Sequence, residues 1–271
     1  MRSKQAEPIV AGQEFSIYND NCAETLATFD SNLIDLTVTS PPYDNLRNYQ
    51  GYSFDFETIA QQLYRVTKDG GVVVWVVSDA TIDGSETGTS FRQALGFMDA
   101  GFNLHDTMVW VKKGGGAIGS PKTYTQNFEY MFVLSKGVPK AVNLIYDLPN
   151  GSYGKRYSDF GRRYPDGTVR KQHKQEPKQY SRRNNWWCLV NNDNHEASWH
   201  PAVFPKRLVR DHIVTWSNEG DVVLDPFMGS GTTGVVCAEL RRRFVGIEIS
   251  DEWAARAGER VKTAYSQLHL F

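Results

Sequence analysis

The sequence of 271 residues has only three cysteines, Cys22, Cys188 and Cys237, and no Cys-x-x-Cys pair. Widely spaced cysteines of this kind indicate neither a zinc site nor a disulfide framework. Long hydrophobic runs are also missing, since the longest strongly apolar segment, residues 72–77, is far too short to span a bilayer. Residues 1–8 are polar and charged, unlike the apolar centre of a secretory signal. We therefore expect a soluble, intracellular protein.

The chain also lacks an excess of charge, with a formal net charge of −1. This balance conceals an uneven distribution. Between residues 155 and 183, ten Lys or Arg stand against three acidic residues, a local charge of +7 that leaves −8 elsewhere. Such a basic block predicts a polyanionic partner for that segment. The composition is otherwise 40% hydrophobic and 13% aromatic, and the length fits one large domain or one domain with an insertion.

The hydrophobic pattern alternates between short apolar runs, typical of buried strands, and helical repeats of period 3.6. The alternation implies a parallel sheet covered on both faces. From residue 149 to residue 195 the pattern fails, and we interpret this segment as an insertion built for contact and not for the core. Strands are predicted at residues 34–39, 72–77, 104–112, 128–134, 222–224 and 244–249, and helices at 55–68, 91–100, 206–216, 232–242 and 251–265.

A glycine-rich turn follows the predicted strand at residues 222–224. Glycines at 229, 231 and 234 form a Gly-x-Gly-x-x-Gly pattern at the start of a predicted helix. Glycine lets the backbone approach a ligand closely, and the helix start offers free N–H groups. Glu248, at the end of the next predicted strand, can accept hydrogen bonds from two ribose hydroxyls. These features fit a dinucleotide or an adenosyl cofactor alike.

The segment Asp225-Pro226-Phe227, just ahead of the glycines, separates these two cofactors. A carboxylate beside the turn repels the pyrophosphate of a dinucleotide, whereas it attracts the ammonium and sulfonium groups of S-adenosylmethionine. We therefore expect S-adenosylmethionine to bind at this turn.

A second motif, Ser40-Pro41-Pro42-Tyr43, follows the predicted strand at residues 34–39. Ligands of open α/β sheets bind at the carboxyl ends of the strands. The Ser40 hydroxyl and the Pro41 carbonyl can accept hydrogen bonds from the amine of a nucleobase, whose lone pair is otherwise delocalised into the ring. Pro42 helps to fix that carbonyl, and Tyr43 offers a face on which a flipped-out base can stack. The motif predicts methyl transfer to an amine by these four residues, without a metal.

Together the two motifs resemble those of the β-class DNA amino-methyltransferases, in which the catalytic motif precedes the cofactor motif. The similarity covers roughly residues 15–148 and 199–265. The segments 200–205 and 246–248 also resemble family motifs, as does Asn19-Asp20, where Asn19 replaces the usual glycine. The resemblance implies that the cofactor is bound by Asp20, His200, Phe204, Asp225, Pro226, Phe227, Gly229, Ser230, Gly231, Thr232 and Glu248.

The resemblance also implies the fold and the organisation of the chain. The expected fold is an α/β, Rossmann-like methyltransferase fold, with a mostly parallel seven-stranded sheet, one antiparallel edge strand and a basic irregular insertion. Residues 1–148 would form the catalytic half, 149–195 the target-recognition insertion, and 196–271 the cofactor-binding half of the same domain. Many members of the family are dimers, so a homodimer is expected here too.

The insertion interleaves basic residues with tyrosine and tryptophan. Cations neutralise phosphates and release counterions, and Arg, Asn and Gln can read base edges. We predict that double-stranded DNA is contacted by Arg162, Arg163, Arg182 and Arg183. The alternative is a solvated surface loop with a few aromatic residues packed into the core.

The target base is indicated by two features. The sequence has no Pro-Cys pair, which argues against methylation at cytosine carbon 5. In the family, serine before Pro-Pro-Tyr favours cytosine N4, whereas aspartate or asparagine favours adenine N6, so we expect cytosine N4 and keep adenine N6 as the alternative. Two other readings stay open: an amino-methyltransferase for RNA or protein glutamine, and a DNA-binding protein that keeps the fold without turnover.

Overall fold

The computed structural model describes residues 6–42, 54–114, 122–154, 160–172, 177–190 and 195–268 of the chain. Its helices are α1 (Cys22–Thr28), α2 (Phe56–Val66), α3 (Thr89–Asp99), α4 (Lys206–Trp216), α5 (Thr232–Glu239) and α6 (Asp251–Leu268), with a 3-10 turn at His195–Ala197. Its strands are β1 (Val10–Ala11), β2 (Phe15–Asn19), β3 (Ile34–Thr39), β4 (Thr67–Val77), β5 (Thr81–Ile82), β6 (Ser85–Glu86), β7 (Asn103–Lys113), β8 (Phe128–Ser135), β9 (Tyr146–Pro149), β10 (Phe160–Arg163), β11 (Val169–Gln172), β12 (Tyr180–Arg182), β13 (Trp186–Val190), β14 (Val222–Asp225) and β15 (Arg243–Glu248). Among the described helices, none is long and apolar enough to cross a membrane.

Nine strands form one sheet in the order β1-β2-β15-β14-β3-β4-β8-β7-β13. Neighbours from β2 to β4 pair in parallel, as do β7 and β13. Among the described strands of this sheet, only β8, between β4 and β7, and the short β1 at one edge pair antiparallel with their neighbours. The mostly parallel α/β sheet is therefore confirmed, and its parallel strands present their carboxyl ends along one edge.

Two details of the sheet differ from the expectation. It has nine strands and not seven, because Val10–Ala11 and Trp186–Val190 extend it at both edges. The longer antiparallel strand, Phe128–Ser135, lies inside the sheet, and only the two-residue β1 is an antiparallel edge strand. An interior position suits Phe128–Ser135 because its last five residues are all buried, as a strand covered on both faces requires.

The core that fixes the strand ends lies around β4 and α2. Residues 72–77 of β4 form an uninterrupted buried run. Helix α2 begins at Phe56 and is capped by Asp55, whose side chain accepts a hydrogen bond from the Thr58 amide at 3.2 Å. Its buried side chains recur at helical spacing and join the same core cluster as Trp75 of β4: Ile59, Ala60, Leu63 and Val66.

Residues 144–184 form a compact unit of their own. Its described strands pair in two antiparallel ladders, β9 with β12 and β10 with β11. Residues 186–190 fall within the predicted irregular insertion, but they form β13 of the main sheet, in parallel with β7. Trp187 and Leu189 alternate into the core, but five residues beside a basic segment give too short a pattern to be recognised. The role of the insertion in target recognition stays a prediction.

Candidate active site

Four neighbouring parallel strands bring the two sequence motifs to one place. In the order β2-β15-β14-β3, these strands end at Asn19, Glu248, Asp225 and Thr39. Asp20 follows β2 directly, and Ser40 follows β3. Across 186 residues of sequence, the Thr39 hydroxyl donates a hydrogen bond of 2.7 Å to Oδ1 of Asp225. The catalytic motif and the cofactor motif are therefore adjacent.

The glycine turn between β14 and α5 requires its glycines. Gly229 and Gly231 have φ angles of +51° and +75°, in the left-handed region that favours glycine. The Met228 amide donates to the Ile247 carbonyl at 2.9 Å, which anchors the turn on β15. Gly231 is the N-cap of α5, and no side chain caps the first N–H groups of this helix, which suits a ligand there. A Cβ on Gly231 would lie 3.1 Å from Ala257 and Val261, so this glycine also lets α6 pack closely against the turn.

Three side chains around the turn hold its shape. The Ser230 and Thr232 hydroxyls lie 3.0 Å apart and share a hydrogen bond. Arg260, from α6, donates to the Ser230 carbonyl at 2.9 Å. The turn is thus fixed from the side of α6 as well as from β15.

Glu248 is positioned by the backbone around it. Its Oε2 accepts from the Gly229 amide at 2.9 Å and its Oε1 from the Ser250 amide at 3.0 Å. Burial raises the pKa of the carboxyl, and these two amides lower it. Each carboxylate oxygen has a second lone pair, so Glu248 can accept two further hydrogen bonds, which suits a pair of ribose hydroxyls.

Asn19 fixes the position of Asp20. It stands where the family resemblance suggests glycine. Its amide donates to the carbonyls of Glu248 and Ile249 at 3.0 and 3.2 Å. The Asp20 backbone N–H also donates to the Glu248 carbonyl, at 3.1 Å. The Asp20 carboxylate accepts from the Thr25 hydroxyl at 2.9 Å. Asn19 therefore ties the ends of β2 and β15 together and keeps Asp20 beside Glu248.

Asp225 is 2% exposed and accepts three hydrogen bonds. Besides Thr39, the Thr233 hydroxyl donates to Oδ2 at 2.7 Å and the Phe227 amide to Oδ1 at 3.2 Å. Burial raises the pKa of Asp225 to about 6, although the hydrogen bonds from Thr233, Thr39 and Phe227 lower it. A buried carboxylate of this kind favours a cation nearby.

The catalytic motif forms the next strand end. Pro41 is buried, and Ser40 and Pro42 are half-buried. Tyr43 lies outside the described residues. Pro226 is buried, and the Phe227 ring lies 5.7 Å from Phe54 and 6.0 Å from Trp75, which pairs with Thr39 across β3 and β4. Phe227 therefore packs the cofactor turn onto the strands that carry the catalytic motif.

His200 covers the glycine turn. A Cβ built on Gly229 would lie 3.0 Å from the His200 ring, so a side chain there would displace it. The ring packs edge-on against Trp253 at 4.5 Å, and its Nδ1 lies 2.8 Å from the Ala202 carbonyl. Phe204 is half-buried just before α4, and in the described part of the chain no hydrogen bond or ring contact joins it to the turn.

The four arginines predicted to contact DNA have two kinds of surroundings. Arg162, Arg163 and Arg182 are exposed. The side chain of Arg183 is only 17% exposed and pairs with Asp147, whose two carboxylate oxygens lie 3.0 and 3.1 Å from Nε. Exposure leaves the first three accessible to solvent, whereas Arg183, just after β12, pairs with Asp147 of β9. The contact of these residues with DNA stays a prediction.

Sequence reasoning missed the side chains that support the site. Thr39 and Thr233 each adjoin a recognised motif, so their positions were a signal, but their common partner Asp225 could be found only in three dimensions. Arg260 and Trp253 lie on α6 and carry no local pattern.

The class of protein follows from the arrangement of the site. Three adjacent strands each end in a carboxylate or are followed directly by one, and a glycine turn lies beside a Ser-Pro-Pro turn. This arrangement is that of an α/β transferase with an adenosyl-type cofactor site.

Comparison with known proteins gives the family. The family model for DNA methylases of the N6/N4 type matches residues 34–259. Orphan methyltransferase M.BamHII of Bacillus amyloliquefaciens is 54% identical over 243 residues, which cover 87% of this chain and 91% of that protein. Type II methyltransferase M.SmaI of Serratia marcescens is 30% identical over 279 residues, with 88% and 87% covered. The chain belongs to the N6/N4 DNA methylase family and is a DNA methyltransferase.

Solved structures show the same fold. The PvuII DNA methyltransferase (cytosine-N4-specific) has a TM-score of 0.67 at 19% identity, covering 97% of this chain and 95% of that one. The M1.HpyAVI–SAM complex has a TM-score of 0.61 at 24% identity, covering 91% and 98%. The expected Rossmann-like methyltransferase fold is therefore confirmed.

Proposed function

We propose that the protein is a site-specific DNA methyltransferase that transfers a methyl group from S-adenosylmethionine to the exocyclic amine of a flipped-out base, with cytosine N4 as the favoured target. The observation that carries this proposal is the 2.7 Å hydrogen bond between Thr39 and Asp225. It joins the end of the catalytic strand to the end of the cofactor strand, and transfer requires the donor and the acceptor to be held in contact.

The described residues fit S-adenosylmethionine better than a dinucleotide. The carboxylates of Asp20, Glu248 and Asp225 follow or end three adjacent strands, and this concentration of negative charge favours a cationic cofactor. Glu248 would hold the ribose hydroxyls and Asp20 the adenine edge, while Gly229 and Gly231, both at positive φ, allow the tight turn between them. When bound there, the cofactor supplies a methyl group activated by the sulfonium charge.

The catalytic turn would hold the target amine. The Ser40 hydroxyl and the Pro41 carbonyl accept hydrogen bonds from its two protons, which favours a more tetrahedral and electron-rich nitrogen. Pro42 limits the directions of the Pro41 carbonyl, because its ring restricts the preceding residue as well as its own φ. Tyr43 would supply the stacking face for the base. None of these residues needs to bond covalently to the substrate.

The choice of base rests on Ser40. A serine at this position favours cytosine N4 in the family resembled, while adenine N6 is the second candidate because both amines present the same pair of protons. Methylation of RNA or protein glutamine is less favoured because the catalytic motif precedes the cofactor motif in this chain. A role without turnover is less favoured because Pro41, Pro42, Asp225 and the glycine turn are all present.

The test is to express the chain in a bacterial host that lacks its own DNA methyltransferases and to analyse the hydrolysed genomic DNA by mass spectrometry. We expect N4-methylcytosine with the wild type and none with Pro41→Ala. N6-methyladenine instead would make adenine the target. If neither base appears while the purified protein binds S-adenosylmethionine, DNA is the wrong substrate.

We further propose that the unit of residues 144–184 contacts double-stranded DNA through the β10–β11 ribbon. Arg162 lies directly opposite Arg170 in the ladder, and their guanidinium groups lie 5.8 and 5.1 Å from the centre of the Tyr164 ring. Like charges opposite each other are unfavourable alone, so an anion such as a DNA phosphate would stabilise the pair. The weak partner of Arg170, Asp166, lies 4.0 Å away and both are exposed.

The other expected partner is a second copy of the chain. The homodimer implied by the family resemblance stays a prediction. Sedimentation equilibrium measures it directly, and a mass equal to that of one chain at micromolar concentration would contradict it.

A further inference from the structure

Strands β3 and β14 are joined by backbone pairing away from the site and by a side-chain hydrogen bond next to it. Farther from the site, their backbones pair at Leu36 with Val223 and at Thr37 with Leu224. The ladder stops there, and Pro226, just after β14, has no N–H with which to extend it. The last link toward the site is a side-chain bond, from Thr39, which is fully buried, to Asp225.

Asp225 also binds the residues on both sides of the cofactor turn. Its second oxygen accepts from Thr233 in the first turn of α5, and its first oxygen also accepts from the Phe227 amide. One buried carboxylate therefore holds the strand end before the Ser-Pro-Pro turn, the backbone after β14 and the start of α5. Buried networks of this kind have essentially one arrangement, because each unsatisfied group is costly.

We propose that Thr39 is a positioning residue, which sets the catalytic turn of residues 40–42 against the cofactor turn through its hydrogen bond to Asp225. This inference rests on the proposed methyl transfer and adds a residue that acts through others. Errors of about 1 Å in such positioning cost roughly 100-fold in rate.

Backbone pairing also holds β3 in the sheet. On its other side, β3 pairs with β4 over Leu36 to Thr39, ending at Thr39 opposite Trp75. Loss of the hydroxyl should therefore leave the sheet intact and release only the link between the two turns.

The chain contains a matched control on the same strand. Thr37 lies two residues before Thr39, so it points to the same face of the sheet, and it is also fully buried. Its hydroxyl has no hydrogen-bond partner in the described part of the chain. Thr37→Val thus removes a buried hydroxyl without removing a link.

The experiment compares Thr39→Val, Thr39→Ser and Thr37→Val with the wild type in two measurements. The first is kcat and KM for DNA methylation. We expect Thr39→Val to lower kcat about 10- to 100-fold with little change in KM for the cofactor, Thr39→Ser to recover most of the loss, and Thr37→Val to stay within about twofold of the wild type.

The second measurement is the pH dependence of S-adenosylmethionine binding by calorimetry, which needs no turnover. The Thr39 hydroxyl lowers the pKa of Asp225, so its loss should move the acid limb of the binding curve to higher pH. Two other titratable groups interact with Asp225, namely those of Glu248 and Cys237. Both are the same in all variants. Thr39→Ser and Thr37→Val should keep the wild-type curve.

The outcomes separate this inference from the proposed function. If Thr39→Val behaves like Thr37→Val in either measurement, the positioning role is overturned. If the wild type methylates no DNA, the proposed function fails, and the binding curves alone decide whether Thr39 acts on Asp225.

Discussion

Two regions of the chain use polar side chains in opposite ways. At the sheet edge, Asp225 and Glu248 are nearly fully buried, and each oxygen accepts hydrogen bonds from hydroxyls or amides. In the unit of residues 144–184, Arg162, Arg163 and Arg170 are exposed. Buried polar groups keep one geometry, which methyl transfer needs, whereas exposed charges keep their freedom, which suits contact with a phosphate backbone. Small changes should therefore disrupt the first region and be tolerated in the second.

The largest difference in stability between the two regions is expected when one methyl group is added to a glycine in each. A Cβ on Gly234 would lie 2.6 Å from Val261 and 2.7 Å from Phe244, whereas a Cβ on Gly151 would meet no described heavy atom within 4 Å. We expect Gly234→Ala to lower the free energy of unfolding by about 1–3 kcal/mol through overpacking. Gly151→Ala should change it by less than about 0.5 kcal/mol.

Denaturant unfolding followed by circular dichroism measures both variants. The comparison also explains the third glycine of the motif, which serves the packing of α5 against β15 and α6. Equal losses of stability in the two variants would contradict the distinction between a tightly packed site and an open unit.

The elements around the site could be predicted because their signals are local. Helix α4 was predicted at residues 206–216 and spans Lys206–Trp216, and the strand predicted at 222–224 is Val222–Asp225. Both follow from periodicity and from turn residues within a few positions. The strand Trp186–Val190 was missed because its partner, Asn103–Lys113, lies far away in the sequence and determines its pairing.

The same distinction holds for the site. The residues of the cofactor turn were recognisable because they belong to one local motif, whereas Arg260, which contacts the turn from α6, carries no such pattern. The bond between Thr39 and Asp225 spans 186 residues, so no window of sequence could reveal it. The ion pair of Arg183 with Asp147 was equally invisible, and composition alone made Arg183 look like Arg162.

A smaller effect is expected in the way that cofactor binding at the buried site depends on pH. Burial raises the pKa of Asp225 from its ordinary value of 3.8 to about 6. Without cofactor, this raised pKa contributes to the free energy of unfolding at pH values below 3.8, where the carboxyl is protonated. The contribution is lost as the pH rises through about 6 and the buried carboxyl ionises. A cationic cofactor favours the ionised carboxylate, so its affinity should rise through the same range and fall about tenfold per pH unit below it.

Calorimetric titration with S-adenosylmethionine between pH 5 and pH 8 measures this dependence, with Asp225→Asn as the control. The amide keeps the size of the side chain but does not titrate, so the part of the slope due to Asp225 should disappear. A slope that persists unchanged in Asp225→Asn would assign it to another group, of which Glu248, also buried with a raised pKa, is the nearest choice.

The smallest effects are expected from single charges in the unit of residues 144–184. Arg162→Ala and Arg170→Ala should each raise KM for DNA only about two- to fivefold at moderate salt, because each removes one exposed phosphate contact. Each should also reduce the slope of log KM against log salt concentration by about 1. Lys262→Ala, an exposed cation on α6, is the matched control and should leave the slope unchanged. Arg183→Ala should instead destabilise its unit by breaking the pair with Asp147, and a slope change as large as that of Arg162→Ala would show that Arg183 contacts DNA after all.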